Sequence, residues 1–331
     1  MIIGLDGGGT KTTGMVVDEQ GRILAEATVG PTNPNSSDYE TVKKELKKLF
    51  YFFTLKKPLT KKDVVFAGIS GVESGGKKEW FLSLLKEITG EAPTIIIDND
   101  AITALYSETK GKPGIVSISG TGSISFGIND KEERARVGGW GYLIQDGSSG
   151  FAIGKRLLDY VFEQYDKGHE PCELTQAVLD HFGVAAMSEI VSLVYELRKT
   201  RDRVASLGSM VISFSNKGNQ LCMDILKEAA ACMLKEIHTL YEKLHHGREL
   251  GGKFPIVLTG GIIQHSHLMQ SFLEEEAANR DYPFAFTLPS LPPIAGTIYA
   301  AIKKGKHEVA PTFTEVFEKE VRDTDFVKGG Q

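Results

Sequence analysis

This sequence has few cysteines and no long apolar run, and each shortage excludes a class of protein. Its three cysteines are far apart, odd in number and without C-x-x-C or Cys/His ligand spacing, which argues against a disulfide framework or a metal cluster. We expect buried or partly buried thiols at Cys172, Cys222 and Cys232. No apolar stretch approaches the roughly 18 residues of a spanning helix, and Asp6 followed by glycines interrupts the first apolar run where a signal peptide would continue. The chain is therefore predicted to be cytoplasmic and to have no membrane partner.

Blocks of like charge are also missing. The 331 residues carry 38 Lys+Arg against 43 Asp+Glu, which gives a formal net charge of -5, and neither sign is concentrated in one segment. A nucleic-acid-binding surface would need a basic concentration of that kind. We expect a small-molecule partner and no nucleic acid. With 41% hydrophobic residues, the chain is long enough for one large domain or two ordinary ones.

Two halves of the chain show the same order of strands and helices. Three strand-like runs, a helix, a strand, a helix and a strand form a βββαβαβ pattern up to Ile97. From Ile115 a strand, a glycine turn and a strand begin again, which indicates a duplicated lobe. Five helix-like segments then predict a helical insertion in the second lobe, at residues 147–165, 172–182, 187–198, 202–216 and 219–244. We place the N-terminal lobe at 1–117 and the larger C-terminal lobe at 118–331, with the last helix packing back on the first lobe.

Three glycines in succession follow the first predicted strand. In Asp6-Gly7-Gly8-Gly9-Thr10-Lys11-Thr12 they let backbone N–H groups approach phosphate oxygens without obstruction by a Cβ atom. The motif is neither a Walker A loop nor a dinucleotide fingerprint, because a strand and not a helix follows it. A glycine-rich hairpin with a solvated aspartate is the alternative, but a hairpin needs only one or two glycines. We therefore interpret Gly8, Gly9, Thr10 and Lys11 as a phosphate-binding loop.

Two more glycine turns follow buried strands. Ser119-Gly120-Thr121-Gly122-Ser123 repeats the first motif in the second lobe, so that Gly120, Thr121 and Gly122 are candidates for binding a polyphosphate. On its own this turn is equally compatible with a purely structural role. Gly260 and Gly261 suit close backbone approach to adenosine, and an ordinary strand-to-helix turn is the alternative.

Seven motifs in one order resemble the BadF/BadG/BcrA/BcrD ATPase family of the actin, hexokinase and heat-shock chaperone superfamily, and within it the N-acetylglucosamine kinase branch. They span residues 1 to about 300: Asp6 to Thr12, Pro31 to Pro34, Asn99-Asp100-Ala101, Ser119 to Ser123, Gly138 to Gly141, Gln145 to Ser148 and Leu258 to Ile262. The fold that this resemblance implies is α/β, a two-lobed actin-like ATPase (ribonuclease H-like) with a helical insertion in the second of two βββαβαβ lobes.

The resemblance also implies ATP and Mg²⁺ as cofactors. Asp6 would hold the ion through its water shell, Thr10 and Thr121 would contact phosphates, and Gly260 and Gly261 would flank adenosine. Asp100 is the expected catalytic base, since a hydroxyl is a poor nucleophile until its proton has an acceptor. The alternative is that Asp98 or Asp100 only caps the following helix.

Sugar contacts are implied at a second group of residues, which are Asn33, Asp100, Gly139, Trp140, Gly141 and Asp146. Asn33 and Asp146 would hydrogen-bond ring hydroxyls, and Trp140 would shape the wall beside them. Trp140 could instead be a core aromatic, and Asp146 could cap a helix beginning at Ser148 or Ser149. The pairs His245-His246 and His265-x-His267 have no visible partners and are interpreted as surface residues.

The expected activity is ATP-dependent phosphorylation of the 6-hydroxyl of N-acetylglucosamine or a close amino sugar by a homodimeric enzyme. Glucosamine and N-acetylmuramic acid are rival substrates, and a nucleotide-switched ATPase without a sugar is the alternative of another class. The activator branch of the family shares a metal cluster held by cysteines, but no cysteine lies close in sequence to Gly120–Ser123 or Trp140. A Cys-x-Cys-Gly zinc motif is missing as well.

Overall fold

The computed structural model describes residues 1–53, 58–73, 75–196, 199–247 and 252–329. Contacts divide the chain into unit 1, Met1–Lys112 with Pro289–Gln331, and unit 2, Pro113–Leu288. The sequence-based boundary after residue 117 falls inside a strand that lies wholly in unit 2, and the sequence-based second lobe includes residues 289–331, of which only the last helix was expected to pack on the first lobe.

Unit 1 contains a five-stranded sheet in the order β3-β2-β1-β4-β5. Its strands are β1 (Ile2–Gly7), β2 (Thr12–Val17), β3 (Ile23–Val29), β4 (Val64–Ile69) and β5 (Thr94–Asp98). The pair β1/β2 is antiparallel, as is β2/β3, whereas β4 runs parallel to both β1 and β5. The helices α1 (Tyr39–Phe52) and α2 (Lys77–Thr89) supply the crossovers that parallel strands require.

Unit 2 repeats this arrangement. Its strands are β6 (Gly114–Ser119), β7 (Ser123–Ile128), β8 (Arg134–Gly138), β9 (Phe254–Thr259) and β10 (Phe284–Thr287). The sheet order is β10-β9-β6-β7-β8, with β6 in the position that β1 has in unit 1. Again the first three strands are antiparallel and the last two parallel. The duplicated βββαβαβ architecture predicted from sequence is confirmed.

Helices surround the two sheets. After α3 (Asp100–Thr109) in unit 1, five helices form the predicted insertion between β8 and β9: α4 (Gly150–Asp166), α5 (Glu173–Phe182), α6 (Met187–Val194), α7 (Thr200–Asn216) and α8 (Gln220–His245). The third is shorter than predicted; it ends at Val194, and residues 197 and 198 lie outside the described part of the chain. After β9 come α9 (Gly261–His265) and α10 (His267–Asn279).

The C-terminal helices belong to unit 1. They are α11 (Pro293–Gly305) and α12 (Phe313–Gly329). α11 lies against β1 and α3, where Gly296 allows close approach because a Cβ there would overlap the backbone of Thr103. On α12, Glu320 accepts a hydrogen bond from the backbone N–H of Ile23 at 2.7 Å.

Each unit has its own hydrophobic core. The core of unit 2 is formed mainly by α4, α7 and α8, and that of unit 1 by its sheet with α1 and α2. No single helix in the described ranges is long and apolar enough to span a membrane; the bent pair α5 and α6 reaches those limits together, by length and composition only. Of the cysteines, Cys222 is buried and Cys232 partly so, but Cys172 is exposed, so the predicted burial is wrong at that position.

Candidate functional site

Two carboxylates lie near each other in unit 1. Asp6 is the penultimate residue of β1, and Asp100 is the first residue of α3; both side chains are half-buried. The hydroxyl of Thr103, one helical turn after Asp100, lies 3.0 Å from Asp6 Oδ1 and 2.7 Å from the Asp100 carbonyl oxygen. The hydroxyl of Ser70, directly after β4, lies near enough to the Asp100 carboxylate to favour its ionised form and oppose the rise in its pKa. The ends of three sequence-distant elements therefore meet at this pair.

The neighbouring Asp98 has a different role. Its carboxylate is buried, forms an ion pair with Lys304 of α11 and accepts the backbone N–H of Asn99 at 2.9 Å. Asn99 is the N-cap of α3 and accepts the N–H of Ile102 at 3.2 Å. The alternative that Asp98 or Asp100 caps the helix is therefore wrong. The chain turns at Asn99, so that Asp98 ends β5 and Asp100 begins α3.

Electrostatics set Asp6 and Asp100 apart from surface acids. Burial raises the pKa of Asp6 to about 6; the charge of Asp100 adds to this, while Thr103 and Lys11 oppose it. Burial also raises the pKa of Asp100, and the charge of Glu73 acts in the same direction. Glu73 accepts from the Asn99 side chain at 2.6 Å. Ser70, Glu73 and Thr103 were missed from sequence, although Thr103 stands at the i+3 position from Asp100 and Ser70 at the carboxyl end of a parallel strand.

The predicted phosphate loop of unit 1 contacts the loop that carries Asn33. The Gly8 carbonyl accepts the N–H groups of Thr32 and Asn33, both at 3.2 Å, and Gly8 N–H donates to the Lys11 carbonyl at 3.0 Å. A Cβ on Gly8 or Gly9 would meet no protein atom closer than 3.6 Å, and neither residue has a positive φ. Packing and turn geometry therefore do not require glycine at these two positions, and Thr10 and Lys11 are exposed. This openness suits an external ligand.

A magnesium ion fits the chemistry of this pair. Mg²⁺ binds oxygen ligands and favours negative charge, and in proteins one or two carboxylates together with water molecules usually supply both. Asp6 has no ion-pair partner within 4 Å in the described part of the chain, and the mutual repulsion of two desolvated carboxylates is relieved by a cation. No group of three or more His, Cys, Asp or Glu that could hold a metal ion was found in the described ranges.

Unit 2 contains a cavity of about 860 Å³ at the second glycine turn. Gly120 and Thr121 line one side of it, and Gly261 and His265 line another. The volume lies within the range of small-molecule sites. The turn itself is fixed by Gly120, whose N–H donates to the Gly122 carbonyl at 3.0 Å and whose carbonyl accepts Gly150 N–H at 2.7 Å. Among the histidines interpreted as surface residues, His265 is exposed but lines this cavity, and His245 is buried, so that interpretation is wrong for His245.

One face of α7 forms the rest of the cavity wall and was not predicted. Its polar lining residues are Asp202, Ser206, Ser209, Ser213 and Asn216. They recur every three or four residues, which places them on one helical face. That periodic stripe of small polar side chains was the available signal. Small residues also let α4 approach α7, since a Cβ on Gly154 would overlap the Val204 carbonyl.

The two glycines after β9 have different reasons to be glycine. Gly260 has φ +101°, and a Cβ there would overlap the backbone of Ser119 on β6. Close packing against β6 therefore explains why residue 260 is glycine. Gly261 begins α9, lines the cavity, and would place a Cβ in open space. Of these two glycines, only Gly261 leaves open space in the cavity, which favours contact with a ligand.

The Gly138–Gly141 loop leaves β8 with three left-handed glycines, at φ values of 75°, 70° and 95° for Gly138, Gly139 and Gly141. Gly139 N–H donates to the Ser123 carbonyl at 3.1 Å, which ties this loop to the second glycine turn. Trp140 is 56% exposed and stacks under the Arg136 guanidinium at 4.2 Å, so the alternative of a core aromatic is wrong. Cys232, remote in sequence, lines one cavity with Trp140, but a lone thiol does not supply the ligands of a cluster.

Asp146 is buried beside the second glycine turn. Its Oδ1 accepts the N–H of Ser123 at 2.5 Å and the Ser123 hydroxyl at 2.7 Å. Ser149, not Asp146, is the N-cap of α4, so the predicted capping alternative is wrong. Of the candidate sugar-binding residues, Asn33 and Asp100 thus belong to unit 1, and Gly139, Trp140, Gly141 and Asp146 belong to unit 2.

Comparison with known proteins agrees with these motifs. The chain is 32% identical over 296 residues to N-acetyl-D-glucosamine kinase from Dictyostelium discoideum, covering 86% of this chain and 92% of that protein. It is 31% identical over 285 residues to N-acetylmuramic acid/N-acetylglucosamine kinase from Clostridium acetobutylicum, covering 85% and 91%. Among solved structures, a candidate N-acetylglucosamine kinase from Chromobacterium violaceum has a TM-score of 0.64 at 25% identity and covers 90% of this chain and 97% of its own. A family model matches residues 3–296, and the chain belongs to the BadF/BadG/BcrA/BcrD ATPase family.

Proposed function

We propose that this chain is an ATP-dependent kinase that phosphorylates the 6-hydroxyl of N-acetylglucosamine or a close amino sugar. The observation that carries the proposal is Asp100. This carboxylate neither caps α3 nor forms an ion pair within 4 Å in the described residues, and burial raises its pKa. Asp98, two residues earlier, forms an ion pair with Lys304. The substrate class is supported by the kinases to which the chain is similar.

Asp100 accepts the proton of the attacking hydroxyl in this proposal. A raised pKa brings the carboxylate closer to the working pH, which favours proton acceptance. The nearby Ser70 hydroxyl favours the ionised carboxylate, and Thr103 fixes Asp6 relative to the start of α3. Asn33 contributes its side-chain amide, whose Oδ1 is already held by Asn35 N–H at 2.8 Å.

Nucleotide binding is assigned mainly to unit 2. Gly120, Thr121 and Gly261 supply backbone and hydroxyl donors to the phosphates and adenosine, and the polar face of α7 contacts the base and ribose. In unit 1, Gly8 to Lys11 are the proposed phosphate loop. A magnesium ion held by Asp6 through water would neutralise phosphate charge, which is most of what phosphoryl transfer requires. The exposed Trp140, with Gly139 and Gly141, forms the apolar wall for the sugar.

Glucosamine and N-acetylmuramic acid remain rival substrates, and a homodimer in the cytoplasm is the proposed state of the enzyme. A nucleotide-switched ATPase without a sugar is the second candidate. It would use the α7 cavity equally well but would give Asp100 no hydroxyl to deprotonate.

The test is a panel of sugars in an assay of ADP release at saturating ATP and Mg²⁺. We expect turnover to depend on an added amino sugar, because closure around both substrates excludes water as acceptor. Release of ADP without sugar at the rate of the best sugar would favour the switch. Mass spectrometry of the product identifies the phosphorylated hydroxyl.

A further inference from the structure

The second glycine turn, residues 120–122 of unit 2, uses its backbone acceptors internally and leaves backbone donors free. All three of its carbonyl oxygens accept a backbone N–H: Gly120 from Gly150 at 2.7 Å, Thr121 from Phe151 at 3.3 Å and Gly122 from Gly120 at 3.0 Å. The N–H groups of Thr121 and Gly122 have no acceptor among the described residues. Successive N–H groups without internal acceptors form a concave site for an anion. The polarity of this turn therefore suits a negatively charged ligand.

Arg201, the second residue of α7, lies against the same turn. A Cβ placed on Gly122 would overlap Nη2 of Arg201 and lie 3.6 Å from its Cζ. Glycine at position 122 thus leaves room for the guanidinium beside the free N–H groups. Arg201 is exposed and has no ion-pair partner within 4 Å in the described part of the chain. Three sources of positive charge or polarity therefore meet at one point: the guanidinium and two backbone donors.

The neighbouring cations have different contacts. Lys199 and Arg203 both form ion pairs with Glu196 at 2.6 Å, and Arg203 also donates to the Leu193 carbonyl at 2.5 Å. These contacts tie the start of α7 to the segment around the end of α6. A cation in the first turn of a helix faces the positive end of the helix dipole, which is unfavourable. Arg201 lies in this field without the counter-ion that its two neighbours have, and a bound anion would relieve the repulsion.

The 860 Å³ cavity beside the turn has little positive charge of its own. Its described lining residues include no lysine or arginine; His265 is basic, and Asp202 is acidic. The loop of unit 1 differs, because Lys11 follows its glycines in sequence. Nucleotide phosphates carry several negative charges, and phosphoryl transfer depends on neutralising them. The second glycine turn contains no cation, and α7 places Arg201 beside it.

We propose that Arg201 is a phosphate-binding residue of the nucleotide site, acting together with the free N–H groups of Thr121 and Gly122. Its planar guanidinium can donate two parallel hydrogen bonds to the oxygens of one phosphate, and it stays charged at every working pH. The contribution of Arg201 to catalysis rests on the proposed kinase activity, whereas its binding of a polyphosphate does not.

The first experiment measures the affinities of ATP, tripolyphosphate and adenosine by calorimetry for the wild type, Arg201→Gln and Arg201→Lys. Glutamine carries no charge, so affinity for ATP and tripolyphosphate should fall roughly ten- to hundred-fold, the range of a hydrogen bond to a charged group. Lysine keeps the charge but not the planar fork and should give an intermediate loss. Adenosine has no phosphate, and its affinity should change by less than about two-fold.

Lys199→Gln is the matched control, because Lys199 lies two residues earlier, is 61% exposed and is paired with Glu196. It changes the net charge by the same amount and should leave ATP affinity unchanged, which separates a local contact from a long-range effect of charge. Equal losses of ATP affinity in Lys199→Gln and Arg201→Gln would overturn the proposal. A loss of adenosine affinity as large as that of ATP would overturn it too.

A purely structural role for Arg201 would give a different result. Asp146 Oδ2 is enclosed, has no hydrogen-bond partner among the residues that the structure describes, and would lie 3.5 Å from the same Cβ on Gly122. If Arg201 serves only as a counter-charge to this carboxylate, Arg201→Gln should lower the melting temperature and leave ATP affinity unchanged. That outcome would contradict phosphate binding.

Kinetics separate this site from the proposed activity. Arg201→Gln should lower kcat/KM for ATP by roughly ten-fold or more, while KM for the sugar stays within about two-fold of wild type. A rise in KM for the sugar alone would count against a phosphate contact. If the wild type phosphorylates no sugar but Arg201→Gln still weakens ATP binding, the proposed function fails and the phosphate site stands. A wild type that binds neither ATP nor tripolyphosphate would overturn the phosphate site itself.

Discussion

Lys304 of α11 forms an ion pair with Asp98 at the end of β5, two residues before Asp100. The lysine amine also lies over the Phe66 ring, 5.6 Å from its centroid. Lys304 and Asp98 are 13% and 4% exposed, so the pair is part of the interior of unit 1. Asp98 is thus bound by a lysine, which supports the proposal that Asp100 is the base.

Asp100→Asn should abolish most activity without unfolding the chain. The substitution keeps size and hydrogen-bonding capacity but removes basicity, so kcat should fall by roughly two to four orders of magnitude. ADP affinity, measured by calorimetry, should hardly change. A folded Asp100→Asn protein with near-normal kcat would show that the base is elsewhere.

Asp98→Asn should have the opposite profile. It removes the charge partner of a buried lysine and should cost on the order of 2 kcal/mol of unfolding free energy. Urea denaturation measures this loss, and kcat at a temperature where the variant is folded should stay close to that of wild type. Loss of kcat at unchanged stability would transfer the catalytic role to Asp98.

Trp140→Ala should weaken sugar binding and leave nucleotide binding alone. Because Trp140 is 56% exposed, its removal should lower the free energy of unfolding only slightly through lost packing. The loss of the cation–π contact with Arg136 should cost only about 1 kcal/mol. We expect KM for the sugar to rise roughly ten-fold, for about 1.4 kcal/mol of lost contact. Gly139→Val is a poorer probe, since its Cβ would collide with Ile124. Equal increases in both KM values would mean that Trp140 acts through the fold.

Gly260 and Gly261 provide a matched pair at the nucleotide cavity. Gly261→Val projects into open space in the cavity, so KM for ATP should rise by about ten-fold or more while the melting temperature stays constant. Gly260→Ala forces a side chain into a left-handed φ and against Ser119, and should cost about 1–3 kcal/mol of stability. If Gly261→Val binds ATP normally, the cavity is not the nucleotide site.

Activity should fall on the acid side as Asp6 takes up its proton. Since burial raises the pKa of Asp6 to about 6, the ionised form that would hold hydrated Mg²⁺ is lost as the pH falls through that value. A pH profile of kcat/KM for ATP should show this inflection, and adenosine binding should not. For stability the sign is reversed: because the pKa of Asp6 is raised in the folded chain, this carboxyl favours the folded state most below its ordinary pKa of 3.8, and the contribution is lost as the pH rises through about 6. A profile without an inflection between pH 5 and 7 would exclude Asp6 from the step.

The fold could be predicted because its signals are periodic. Buried strands and amphipathic helices have repeats of two and about 3.6 residues, and these determined the order of nearly every element. No residues were assigned to β8 from the sequence, because Arg134 and Arg136 alternate with Ala135 and Val137 and leave only a short apolar pattern. Asp98, Asn99 and Asp100 are all residue types that can cap a helix, so the sequence does not show which of them caps α3. The backbone turn at Asn99 makes Asn99 the N-cap.

Residues that act through distant partners were beyond sequence analysis. Glu236 and Gly138 are 98 positions apart, and only the structure brings α8 under the end of β8. The polar face of α7 could be predicted only in part. Its spacing was visible, but polar residues on one helical face are also what a solvent-exposed surface contains.

Unit 1 depends on a segment that the ribosome makes late. Gly4 on β1 packs against Thr297 of α11, and Gly296 packs against the backbone of Thr103 on α3. The first 112 residues therefore cannot bury this face of their sheet until α11 has been synthesised, whereas every strand of unit 2 precedes Pro289. At translation rates of about 5–20 residues per second, the N-terminal sheet stays incomplete for roughly 10 to 40 seconds. Limited proteolysis of nascent chains stopped at residue 288 should accordingly cut unit 1 first. Unit 1 therefore gains the last part of its packing only after every strand of unit 2 has been made, and during that interval its exposed sheet is the part of the chain that a chaperone would have to cover.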